Sequence, residues 1–212
     1  MKKHFWKIEY SLTIFVIFAV ILMLIPTQFI GSKEAAYISK WNETFHKMEY
    51  IITAMQAQAD AEIVKSFKNA KNNEARETIM MTLLKPYLRI TEYDELTKKY
   101  NPHFMNGTKV TSDNYYHFES LYLGYNGKII GFKDIQDEEA FFPAFIMLFD
   151  MNGLKGPNIW GKDIFGLNIY IDGKINPIGA GWEISELQKD CSEDGTGVSC
   201  SHYYRIGGEF KE

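Results

Sequence analysis

HFWKIEYSLTIFVIFAVILMLIPTQFI, residues 4–30, decides how the rest of the chain is read. After Lys7 and Glu9 it runs 21 residues, from Tyr10 to Ile30, without a charge. A helix crossing a bilayer needs about 20 apolar residues, so the length predicts a transmembrane span. Lys2, Lys3 and Lys7 precede it, and the positive-inside rule then places Met1 in the cytoplasm and the chain beyond about Gly31 outside. A removed secretory signal would share the basic start and apolar core. Its core is usually about 7 to 15 residues, however, and no Ala-x-Ala-like site follows Pro26, so a retained anchor is expected. Glu9 is the anomaly, because a carboxylate carried into an apolar bundle is costly unless paired.

The 212 residues suffice for one domain of ordinary size and an appendage. The expected division is a leader and anchor over 1–30 and an exported head over 31–212. Three of the 23 basic and one of the 27 acidic residues fall in 1–30, which leaves 20 basic and 26 acidic residues, a formal charge of −6, for the remainder. An acidic body is a poor partner for nucleic acid, whose binding rests on phosphate neutralisation.

Beyond the apolar run a second helical pattern begins. Ile38, Trp41, Phe45, Met48, Ile52 and Met55 recur at steps of three and four and share one face, while Lys40, Glu43, Lys47 and Glu49 lie elsewhere. A shorter helix follows through Ile79, Leu83 and Leu84 and stops near Pro86. Residues 93–115 are polar and read as a loop. From His117 the texture is that of strands: HFESLYLGY and KIIGF flank Asn126-Gly127, FIMLFDM ends at Asn152-Gly153, and GLNIYI and KINPI flank Asp172-Gly173. Such pairs tolerate the positive φ of tight hairpins. The fold class is therefore α+β: a long N-terminal helix, transmembrane and then amphipathic, whose apolar stripe packs on a small antiparallel β-sheet.

Cys191 and Cys200 enclose the turn-rich SEDGTGVS. An exported compartment lets a bridge between them persist, and two unpaired thiols are the alternative. A zinc site is not completed by any other cysteine or suitably spaced histidine.

The basic leader, Phe5, Glu9 and mid-helix Pro26 stand at the spacings of the first mature residue, the glutamate and the proline of the type IV pilin and pseudopilin superfamily, which this N-terminus resembles. FDMNGLKGPNIWGKDIFGLNIYIDGKINPIG, residues 149–179, is similar to the C-terminal sheet region of prepilin-type proteins, and Cys191 to Cys200 resembles the pilin disulfide loop. The resemblance implies a pilin-like head on the anchor. It also implies leader cleavage between His4 and Phe5 by a leader peptidase, and pairing of Glu9 with the amine of a neighbour's first residue. His4 departs from the small residue usual before the cut, Lys7 from an apolar place, and Phe18 from a frequent glycine. The partners implied are other pilin-like subunits and membrane lipid, in a type IV pilus or a type II secretion-like filament at the cytoplasmic membrane. The alternative is a monomeric anchored binding module, an adhesin or ligand-sensing ectodomain.

Asp150, Asn152, Asn158 and Asp163 supply oxygens of the kind calcium takes. The spacing departs from an EF-hand loop, since Gly153 arrives early and no glutamate closes the set. Asp and Asn also form turns on their own backbone, and that reading is favoured. His117 and Glu119 share one face of an expected strand, which suggests an exposed polar face. No G-x-S-x-G elbow, phosphate loop or H-E-x-x-H is present, so no enzyme is expected.

Overall fold

The computed structural model describes residues 2–58, 73–93, 95–135, 143–170 and 172–209; the side chains of 2–9, 22–34, 58 and 73–75 lie outside the described set. The chain divides into two compact units, Met1–Ala36 and Tyr37–Glu212, each described by itself. Helix α1, Lys2–Gln58, contributes to both.

The expectation of a long N-terminal helix that crosses a membrane before turning amphipathic has to be corrected. Among the described residues no helix is long and apolar enough to cross a membrane. The described apolar stretch of the first unit is 10–21, 12 residues. What stands is the coarser class, α+β with an antiparallel sheet.

The second unit is built on five strands in sequential order: β1 Ser120–Leu123, β2 Ile129–Asp134, β3 Phe145–Asp150, β4 Ile164–Ile169 and β5 Ile175–Pro177. Every neighbouring pair is antiparallel. The hairpins fall at the expected punctuation. Asn126 and Gly127 take φ of 64° and 76° between β1 and β2, and Gly173 takes 80° between β4 and β5. Strands adjacent in sequence are adjacent in the sheet, so the five form a meander.

The stripe on the α1 segment of this unit covers one sheet face. Trp41, Phe45, Met48, Ile52 and Met55 are buried in one core with Ile130 and Phe132 of β2, Phe145, Met147 and Phe149 of β3, and Phe165, Leu167 and Ile169 of β4. Helix α2, Asn73–Leu88, adds Met80 and Leu84, and continues two residues past Pro86. Trp41 is fully buried, stacks on Phe165 at 5.4 Å between centroids, and donates Nε1–H to the Ser201 carbonyl at 2.8 Å.

The other sheet face is not the expected exposed polar one. Ile129, Ile146, Leu148 and Ile164 point into a second core closed by Leu96, Tyr100, Phe104, Val110, Phe118 and Trp160. The polar-looking segment 93–115 supplies four of those covers, with one helical turn, α3 Leu96–Lys99. Both faces of β3 are consequently buried, and all six of its residues are inaccessible. Glycine makes the close fit possible: a Cβ on Gly131 would stand 3.0 Å from the Phe118 ring and 3.1 Å from Leu148 Cβ.

After β5 come α4 Ile184–Asp190 and the one-turn α5 Cys200–Tyr203. Glu183 and Glu186 close a capping box at the start of α4. The Asp190 carboxylate accepts from Thr196 N and Ser199 N, each at 2.9 Å, and so organises the loop that the Cys191–Cys200 disulfide closes.

Candidate functional site

The β3–β4 connection gathers Asp150, Asn152, Asn158 and Asp163. Asp150 ends β3, Asp163 precedes β4, and Met151 N donates to the Asp163 carbonyl at 2.9 Å, which closes the ladder between them. Positive φ at Gly153 (67°), Gly156 (65°) and Asn158 (56°) folds the intervening chain back over the strand ends. Both carboxylates are fully buried.

Their oxygens are occupied by donors. Asp150 Oδ1 accepts from Asn152 N at 3.1 Å and Gly153 N at 2.8 Å, and Oδ2 accepts from the Tyr100 hydroxyl at 3.1 Å. Asp163 Oδ1 accepts from Ile159 N at 2.6 Å, and Oδ2 from Asn158 N and Asn152 Nδ2, both at 2.9 Å. Asn152 Nδ2 also donates to the Gly156 carbonyl at 2.6 Å and to Tyr37 Oη at 3.1 Å. Burial, with the neighbouring Asp163 charge second, pushes the Asp150 carboxyl up to about 8. Burial also raises Asp163, and it raises the Tyr100 phenol well above its ordinary value.

This donor-lined arrangement does not fit calcium, which takes about six to eight oxygens. Each carboxylate oxygen faces N–H or O–H groups, and Asn152 Oδ1 is the acceptor left without a partner. Among the described residues no group of three or more His, Cys, Asp or Glu could hold a metal. The four residues form an internal knot that ties the β3–β4 loop to α1 through Tyr37 and to the second core through Tyr100. The sequence offered no sign of either tyrosine, since each lies about 50 positions or more from its partner.

Of the remaining candidates, the side chains of His4, Phe5, Glu9 and Pro26 lie outside the described residues. Cys191 and Cys200 are bridged, with Cα atoms 5.3 Å apart. His117 and Glu119 do not share a strand, because β1 begins at Ser120. They line an open cleft of about 780 Å³ above the second core.

The first unit carries a different feature. Tyr10, Leu12, Ile14, Phe15, Val16, Ile17, Phe18, Val20 and Ile21 are between 44% and 75% exposed. At about 100° per residue these positions point to every side of the helix. Each such side chain is worth roughly 1.5–3 kcal/mol when buried, so this surface favours being covered. A helix apolar all round is a buried one wherever it works.

The chain matches no protein-family model, no curated protein and no solved structure.

Proposed function

We propose that the chain is a pilin-like or pseudopilin subunit, a structural component of a type IV pilus or type II secretion-like filament. The observation that carries this reading is the apolar surface of 10–21, exposed on all sides of the helix. In an assembly the same segment of neighbouring subunits covers it, with close helix packing as the attraction. Two features of the second unit accord with the N-terminal resemblance: the α1 stripe lies on an antiparallel meander, and a disulfide-closed loop follows the last strand. The role is structural rather than catalytic. The carboxylates of the knot are inaccessible, and their lone pairs are engaged.

Site-directed cross-linking tests this. The native cysteines are bridged to each other, so a single new thiol reports by itself. Phe15→Cys and Val16→Cys, expressed in the full chain and oxidised in intact cells, are expected to give covalent dimers of the chain or adducts with a related subunit at both positions. A chain that stays uncross-linked at both, while its second unit is folded and its native bridge intact, overturns the subunit reading in favour of a monomeric module.

A further inference from the structure

The cleft above the second core belongs wholly to the second unit, and neither the knot nor the apolar segment accounts for it. Its floor is apolar: Val110, Phe118 and Leu148 are buried and Leu121 is half-buried. Its walls are fixed by the backbone. Val110 N donates to the Pro102 carbonyl at 3.0 Å, His117 N to the Asn114 carbonyl at 3.0 Å, and the Asn114 side chain accepts from Thr111 N at 2.7 Å. The concavity is therefore preformed. Its volume, about 780 Å³, lies within the roughly 300–1,000 Å³ usual for small-molecule sites.

The rim decides what such a site would take. Lys98 and Lys109 are exposed on it, and among the described residues neither is in an ion pair. Glu119 is the only carboxylate among the lining residues. This local positive excess stands on a chain whose formal charge is −4. Thr97 and Ser112 add hydroxyls to the lining. An apolar floor under a cationic, hydroxyl-bearing rim is complementary to a molecule with a hydrocarbon body and an acidic head. Neutral or cationic ligands would leave the ammonium groups unanswered.

We propose that this cleft binds a small organic anion, its apolar body on Val110, Phe118, Leu121 and Leu148 and its acidic group at Lys98 and Lys109. The inference is independent of the filament role, since a subunit and a monomeric module would carry the same cleft.

Two probes with one body separate charge from bulk: 4-phenylbutyrate and 4-phenyl-1-butanol, titrated into the full-length 15N-labelled chain and followed by amide shifts. The acid is expected to bind about tenfold or more tightly than the alcohol, a gap of about 1.4 kcal/mol, with shifts centred on 97–121. In Lys98→Gln/Lys109→Gln the acid should weaken by about the same factor while the alcohol changes less than twofold. Equal binding of the two probes, absence of binding to 97–121, or a preference for the acid that survives the double substitution each overturns the proposal.

Discussion

Stability should fall as pH rises from about 4 to about 8, and Asp150 should be the main reason. Burial holds its carboxyl at about 8 in the folded chain, against an ordinary value of 3.8. Between those values the folded chain keeps a proton that the unfolded chain has released. Raising the pH therefore favours unfolding, and the loss levels off above the folded value. At about 1.4 kcal/mol per unit the ceiling is roughly 6 kcal/mol. Only about three of those units lie above pH 5, so a loss of about 2–4 kcal/mol between pH 5 and 9 is expected. Asp163, also raised by burial, acts in the same direction. His202 acts in the opposite one. Burial, assisted by Arg205, lowers its pKa, so its contribution grows as pH rises toward its ordinary value. Urea unfolding of the full chain, followed by the fluorescence of the fully buried Trp41 and Trp160, gives the stability at each pH. Asp150→Asn keeps one acceptor for the Asn152 and Gly153 amides and should remove most of the slope. A profile that is flat or rises across the window, or an Asn variant as pH-dependent as the parent, would refute the assignment.

Two further outcomes test the packing. Trp41→Ala empties the contact with Phe165 and strands the Ser201 carbonyl; it should cost about 3–5 kcal/mol in urea unfolding, and a loss under about 1 kcal/mol would mean that the helix stripe is not the lid of the first core. Gly131→Ala drives a methyl against the Phe118 ring and Leu148; a cost of about 1–3 kcal/mol is expected, read as a lower Tm by calorimetry, and an unchanged Tm would show that Phe118 does not sit where the second core requires it.

Much of the second unit is legible in the amino-acid sequence. The spacing of Trp41, Phe45, Met48, Ile52 and Met55 located the helix face, and Asn126-Gly127 and Asp172-Gly173 located two turns. These signals are local: a stripe repeats along one helix, and a hairpin register is set within a few residues. The segment 93–115 was not legible as a cover for the sheet, because its apolar residues, Leu96, Tyr100, Phe104 and Val110, follow no period. FIMLFDM held the one hint, a strand apolar at every position and therefore needing two buried faces. The membrane span expected from the run after Glu9 is corrected for a different reason. Among the described residues no helix is long and apolar enough to cross a membrane, whereas hydropathy counted along the sequence asks only how far the uncharged run extends.

The sequence by itself determined which residues seek burial, where the chain turns, and that Cys191 and Cys200 lie within reach of each other. Only the tertiary structure decided what each of them meets. It made the candidate ligands Asp150 and Asp163 acceptors for N–H and O–H donors, brought Tyr37 and Tyr100 to the same loop, and set two lysines beside an apolar floor. The physical reason is that periodicity reports a preference for leaving water, which is nondirectional, while the partners are fixed by register, loop closure and the fit of two cores on one sheet.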